Sequence, residues 1–112
     1  MITNKTQKTI IDQRFRICRT PFQKLMGLMF SSSPKTLVFE FNKERKESLH
    51  MFFVFFPIDV IFLDRDKKVV ETLENFRPCR VYFPRKKAKY IIESKQGTIK
   101  RTKTILGDNI QF

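Results

Sequence analysis

Apolar and polar residues alternate along much of this chain, and a period of two is typical of β-strands with one buried face. Charged clusters, prolines and glycine-containing pairs separate these stretches and indicate turns. The polar turn at 64–67 predicts that the strands on either side of it pair as consecutive antiparallel neighbours. We therefore predict a mostly β fold, a compact antiparallel barrel or sandwich with one or two short helices. The predicted strands span residues 10–18, 37–41, 49–56, 58–63, 69–73, 80–83, 89–93 and 109–112.

Three segments depart from this strand pattern. Thr20 offers an N-cap hydroxyl and Pro21 suits a first helical position, which predicts a short helix over residues 22–29 that packs on the sheet. Residues 98–104 fit either a short helix or a basic strand. The charged residues 42–47 are predicted to form an exposed turn.

The most apolar stretch, residues 48–66, contains the only histidine of the chain, His50, and an acid in its middle, Asp59. Asp59 either accepts backbone N–H groups where the chain turns at Pro57, which the pattern favours, or acts as a pocket acid. His50 is either a half-buried packing residue, the favoured interpretation, or a ligand or base. A hairpin about Pro57 would bring His50 near residues 63–65 and away from Asp59, which argues against a catalytic dyad.

The composition is that of a folded protein with a strongly basic balance. A length of 112 residues fits one domain, and an apolar content of 41% is ample for a core. We assign residues 10–112 to a single β-rich domain, preceded by a flexible polar segment over residues 1–9. The net charge is +12, from 23 basic and 11 acidic residues. Residues 77–103 alone hold ten basic groups and one acid, for a net charge of +9.

A charge of this size raises the affinity for polyanions such as nucleic acid or acidic lipid. Tyr82, Phe83 and Tyr90 lie near the basic residues in sequence, as in surfaces that bind single strands. The alternation favours the other interpretation, a solvated basic turn with weak non-specific polyanion binding, because aromatics of a half-buried strand usually face the core. The candidate polyanion-binding residues are Arg85, Lys86, Lys87, Lys89, Lys100 and Arg101.

The two cysteines, Cys18 and Cys79, are too far apart in sequence to form a CxxC pair. Together with one histidine they fall short of a structural zinc set, so we expect no metal, and nothing indicates a cofactor. We expect both to be buried, reduced thiols. The sequence has neither a leader pattern nor an apolar run of about 18 residues, which predicts a cytoplasmic protein without a membrane span.

Several short motifs occur together in a fixed order. As an ordered set they resemble the family catalogued as domain of unknown function 192, over about residues 8–112. This resemblance implies a compact β-rich domain of prokaryotes and no established reaction. The motifs are MGLM (26–29), HMFFVFFPIDVIFLD (50–64), RPCRVYF (77–83), AKYIIE (88–93), Gln96-Gly97 and LGD (106–108).

The resemblance also points to individual positions of this chain. Many members of the family carry a tryptophan where Cys79 stands, so a pocket shaped by that tryptophan is not carried over. Members of the family also carry small or proline residues at the positions that residues 94–96 occupy in this chain. The family's Gly-Leu-Met, its aspartate and its late Gly-Asp fall on Gly27, Leu28, Met29, Asp59, Gly107 and Asp108.

These observations lead to two functional hypotheses. The first is a non-enzymatic module that binds a small ligand or a partner, with Asp59, His50, Gly27 and Met29 as candidate ligand-binding residues. The second is a nucleic-acid-associated protein that uses the basic residues 77–103. A hydrolase centred on Asp59 is disfavoured because no second carboxylate, nucleophile or metal set is evident beside it. A concave apolar pocket at Asp59 would support the first hypothesis, and one continuous basic face the second.

Overall fold

Ten strands and one short helix make up the part of the chain that the computed structural model describes, residues 1–20, 35–51 and 54–112, with only the backbone at His50. The helix predicted over 22–29 and the candidates Gly27 and Met29 lie outside these residues. The predicted mostly β fold is confirmed. The elements are β1 (Ile2–Asn4), β2 (Thr9–Asp12), β3 (Arg16–Cys18), β4 (Leu37–Arg45), β5 (Leu49–His50), β6 (Ile58–Leu63), β7 (Val69–Phe76), β8 (Val81–Tyr82), β9 (Ala88–Lys95), α1 (Thr98–Thr102) and β10 (Ile110–Gln111).

A five-stranded sheet with the order β3-β4-β9-β6-β7 forms the centre of the fold. The predicted hairpin of β6 and β7 is confirmed. The neighbours are not all consecutive, however, because β9 lies between β4 and β6. Strand β6 is buried along its whole length, and a strand that is apolar on both faces belongs in the middle of a sheet. Strand β3 adds to β4 in parallel, whereas the other three pairings in this sheet are antiparallel.

Each face of this sheet carries its own hydrophobic core. Side chains alternate along β6, so Val60 and Phe62 enter one core while Ile61 and Leu63 enter the other. The second core is covered by a three-stranded sheet of order β10-β1-β2 and by α1. In the described residues, the strands form separate packed sheets, as a sandwich does, and not one closed barrel.

The N-terminal segment differs from the prediction. Residues 1–9 were expected to be flexible, but the structure places β1 in the middle of the three-stranded sheet with Ile2 fully buried. The predicted strand over 10–18 is also divided, into β2 and β3, which lie in different sheets. Both differences have the same cause: β1 pairs with β10 from the far end of the chain, and local alternation carries no sign of such a partner.

The stretch around residue 50 also differs from the prediction. Among the described residues of the predicted strand 49–56, only Leu49–His50 form a strand, β5, which pairs with β8, so that His50 lies opposite Val81 and not near residues 63–65. The expected hairpin about Pro57 cannot form because both edges of β6 are occupied, by β7 and by β9. The predicted turn at 42–47 also begins later, since β4 continues to Arg45. Residues 98–102, left open by the sequence, form helix α1.

Candidate functional site

Asp59 is a buried structural acceptor in this fold, with 1% of its surface exposed. Its Oδ1 accepts the backbone N–H of Asn75 at 3.0 Å. Its Oδ2 accepts the N–H groups of Gly97 at 3.1 Å and Ile99 at 3.0 Å. The prediction that Asp59 is buried and accepts backbone N–H groups is therefore confirmed, although its donors come from strand β7 and helix α1 and not from the turn at Pro57.

The Asp59 carboxylate supplies what the start of helix α1 lacks. Gly97 is the N-cap of α1 and has no side chain to accept the free N–H groups of the first turn. Its φ of 91° is a left-handed conformation that glycine adopts without strain. Asp59 accepts from Ile99, the second helical residue, and thus caps the helix from a neighbouring strand. An acid at this end of a helix is also favoured by the helix dipole.

Asp108, the second acid that the family resemblance marks, is another buried acceptor. Its Oδ2 accepts from the Asn4 side chain and from the Ile105 N–H, both at 3.0 Å, and the Gln7 side chain donates to both carboxylate oxygens. Burial alone would raise the pKa of Asp108, but the hydrogen bonds from Asn4, Ile105 and Gln7 outweigh it and lower that pKa. The carboxylate thereby ties the N-terminal strand to the turn before β10.

The remaining residues marked by the sequence are spread over the fold. His50 lies in β5, away from the strand that carries Asp59. Cys18 is buried in the first core, whereas Cys79 is exposed, so the expectation of two buried thiols is wrong for Cys79. Cys79 lies in a turn with a positive φ of 64°, and no side of this turn position faces a core. In the described part of the chain, no three His, Cys, Asp or Glu side chains come together as a metal-binding group.

A cleft of about 400 Å³, here called the basic cleft, opens where β4, β9 and the β6–β7 turn meet. The sheet register creates it: Arg45 pairs with Ala88, and Leu63 pairs with Tyr90, so the polar ends of three adjacent strands converge. Four cationic side chains and one acid line it. The lining residues are Asn42, Lys43, Glu44, Arg65, Lys87 and Lys89.

Among the described residues that line the basic cleft, the one acid is already bound. Glu44 Oε1 lies 3.3 Å from the Arg65 guanidinium, and Glu44 Oε2 accepts the Arg65 N–H at 3.0 Å. The Lys89 ammonium stands over the Tyr90 ring at 5.7 Å from its centroid. Lys43 and Lys87 are exposed at the rim. The cleft therefore keeps a positive potential and suits an anion.

The loop that leads into the basic cleft is held by a buried glutamate. Glu71 Oε1 accepts the N–H groups of Arg85 and Lys86, both at 2.9 Å, and Glu71 Oε2 accepts the Tyr82 hydroxyl. Burial, together with the Glu71 hydrogen bond and charge, raises the pKa of Tyr82 to about 12. The loop backbone is thus fixed while the Arg85 and Lys86 side chains remain exposed.

Replacing Tyr82 by phenylalanine is expected to lower the free energy of unfolding by about 1 kcal/mol, the net value of one hydrogen bond, because Glu71 loses a donor while the ring packing persists. Urea denaturation measures this change. Lys86→Ala serves as the control, since it leaves the backbone bond to Glu71 intact. Equal stability of the Tyr82→Phe variant and the wild type would show that this hydroxyl bond contributes nothing.

The predicted polyanion-binding residues are only partly brought together. Lys87 and Lys89 line the basic cleft, and Arg85 and Lys86 belong to the loop beside it. Lys100 and Arg101 lie on helix α1 and do not line the cleft, and the Arg101 guanidinium donates to the Ile10 and Ile11 carbonyls. No pattern in the sequence indicated the cleft residues contributed by β4 and by the β6–β7 turn. They are far from 87–89 in sequence and meet them only through the register of the sheet.

Comparison with known proteins places the chain in a family. A family model for domain of unknown function 192, described as "Uncharacterized ACR", matches residues 2–112. A UPF0127 protein of Thermococcus sibiricus is 40% identical over 115 residues, which cover 100% of this chain and 74% of the relative. A UPF0127 protein of Pyrococcus horikoshii is 35% identical over 114 residues, which cover 100% and 98%.

Two crystal structures share this fold. A protein of unknown function from Novosphingobium aromaticivorans superposes with a TM-score of 0.81 at 22% identity, over 88% of this chain and 74% of that one. A protein from Sinorhizobium meliloti, described as a candidate transcription regulator, gives a TM-score of 0.80 at 25% identity, over 87% and 79%. No described helix of this chain is long and apolar enough to cross a membrane. From the family match and the identities to its relatives, the chain belongs to the domain of unknown function 192 family.

Proposed function

We propose that this protein is a non-enzymatic binding module that takes an anionic ligand in the basic cleft. One observation carries the proposal: four cationic side chains from three separate segments converge on one concave site. Cations from separate segments can surround an anion, whereas a run of neighbouring lysines spreads into solvent. The proposal keeps the small-ligand or partner-binding class and moves the expected site from Asp59 to the cleft.

The charge balance of the cleft supports this proposal. The only acid in its lining, Glu44, is bound to Arg65, which leaves Lys43, Lys87 and Lys89 to meet a ligand. A net charge of +12 on the whole chain adds long-range attraction for an anion.

Asp59 is less suited to bind a ligand directly. Its two carboxylate oxygens accept three backbone N–H groups, and 1% of its surface is exposed. A ligand group could reach this carboxylate only by displacing part of the start of α1. The geometry supports a role for Asp59 in shaping the fold around whatever the protein binds.

Inorganic pyrophosphate is a suitable probe, because it presents a compact negative charge without a base or a lipid chain. We expect the double variant Lys87→Ala/Lys89→Ala to bind pyrophosphate about tenfold more weakly than the wild type, in calorimetric titrations at low salt. The matched control, Lys5→Ala/Lys100→Ala, removes two exposed charges outside the cleft and should bind within about twofold of the wild type. Equal losses in the two double variants would mean that net charge alone attracts the anion, and the cleft would not be a site.

A further inference from the structure

Phe83 is the most exposed aromatic side chain among the described residues, with 74% of its surface open to solvent. It follows Tyr82, whose ring faces inward and packs on Phe62 at 5.9 Å and on Phe76 at 6.2 Å between centroids. Alternation then turns Phe83 outward together with Val81, which is 46% exposed. Val81 and Phe83 together leave an apolar surface exposed at this end of β8, and contiguous exposed apolar surface can contact something outside the chain.

Phe83 opens the same loop that supplies cations to the basic cleft. Arg85, Lys86 and Lys87 follow it and are all exposed. The Cα atoms of Phe83 and Lys87 are at most about 14 Å apart, because Lys87 is the fourth residue after Phe83. Glu71 fixes the backbone between them, so the ring and the cations are presented together before any ligand arrives.

We propose that the anionic ligand of the basic cleft is a single-stranded nucleic acid, with its phosphates at Lys43, Lys87 and Lys89 and a base stacked on Phe83. This inference rests on the proposed function and names its ligand class. An exposed ring beside a positive groove is the arrangement that single-strand binding uses, since every base has a face that can stack. A duplex hides those faces, and a membrane surface needs a larger apolar area than this ring and Val81 provide.

Phe83 is better placed to stack on a base than the two tyrosines that the sequence grouped with it. All three lie near the basic residues in sequence, and the alternation favoured rings that face the core. Tyr82 packs inward, and the Tyr90 ring stands against Phe112 at 5.3 Å between centroids, next to the Lys67 ammonium. Neither ring is placed to receive a base.

Fluorescence anisotropy with a labelled twelve-residue oligothymidylate, at about 50 and 150 mM salt, tests the inference. Phe83→Ala should weaken binding about 5- to 100-fold, the effect of losing one stacked base, and part of this loss should persist at the higher salt. The same variant should bind pyrophosphate within about twofold of the wild type. Phe55→Ala is the matched control, because Phe55 is 69% exposed and lies in another segment, and it should bind the oligonucleotide normally.

Three results would overturn the inference while leaving the proposed function intact, provided that pyrophosphate still binds in the cleft. The first is oligonucleotide binding that Phe83→Ala does not change. The second is equal affinity for the oligonucleotide and for a duplex of the same length. The third is a Phe83-dependent affinity for vesicles of phosphatidylglycerol and phosphatidylcholine that exceeds the affinity for the oligonucleotide, which would make this loop a membrane contact. Failure of pyrophosphate to bind the cleft would instead remove the proposed function.

Discussion

Replacing Asp59 by alanine is expected to lower the free energy of unfolding by about 3 kcal/mol, because one buried and two partly buried backbone N–H groups would lose their acceptor. The donors belong to β7, to the N-cap of α1 and to its first turn, so loss of the carboxylate destabilises three segments at once. Asp59→Asn should cost nearly as much, since its amide –NH₂ would face at least one N–H donor. Urea denaturation with a two-state fit measures both variants.

Asp66→Asn is the matched control for Asp59. Asp66 lies in the exposed β6–β7 turn, so the same chemical change there should alter stability by less than about 0.5 kcal/mol. Circular dichroism of Asp59→Asn should also show some loss of helix, because α1 depends on this cap. If Asp59→Asn is as stable as Asp66→Asn, the carboxylate does not hold these segments and a ligand role for Asp59 regains support.

The sequence predicted Asp59 correctly as a buried acceptor because the signal is local. An acid inside a run that is apolar on both sides must find donors in the interior. Its actual donors could not be named, since Asn75, Gly97 and Ile99 reach it only after β7 and β9 have paired with β6. The limits of β6 itself were predicted correctly, because Pro57 and the polar turn at 64–67 bound this apolar run on its two sides.

The residues of the basic cleft could be predicted only in part from the sequence. Lys87 and Lys89 were predicted as anion-binding residues from their charge, and they do line the cleft. Lys43 and Arg65 were not, since no local pattern relates them to residues 87–89. The insertion of β9 between β4 and β6 brings them together, and that order was hidden by the expectation of consecutive neighbours. Non-local pairing also explains why β1 was taken for a flexible segment.

Glu93 is a third acid in an apolar setting, and its environment differs from those of Asp59 and Asp108. It lies on β9 opposite Leu37 of β4 and Val60 of β6, and residues directly opposite share a face of the sheet. Its side chain therefore projects from the face that carries the first core. Burial in these surroundings raises the pKa of Glu93 to about 7.

This raised pKa predicts that the folded state loses stability as the pH rises. In the unfolded chain Glu93 has a pKa of about 4.3. Between that pH and about 7 the folded protein holds one more proton than the unfolded protein, so the stabilisation is complete below about pH 4.3 and is lost as the pH rises through 7. The full difference corresponds to at most about 4 kcal/mol, and the partial exposure of Glu93 reduces it, so we expect about 2 kcal/mol.

Glu93→Gln isolates this contribution, because glutamine has nearly the same shape and does not ionise. The variant should gain about 2 kcal/mol relative to the wild type between pH 4.5 and pH 7.5, measured by urea denaturation at each pH. Glu74→Gln removes an exposed acid from β7 and serves as the control for the loss of one negative charge. A difference between Glu93→Gln and the wild type that stays constant across this range would show that the pKa of Glu93 is the same in the folded and the unfolded protein. A difference that favours the wild type as the pH rises would show that Glu93 is ionised in the folded protein and has a cationic or hydrogen-bonding partner on that face of the sheet.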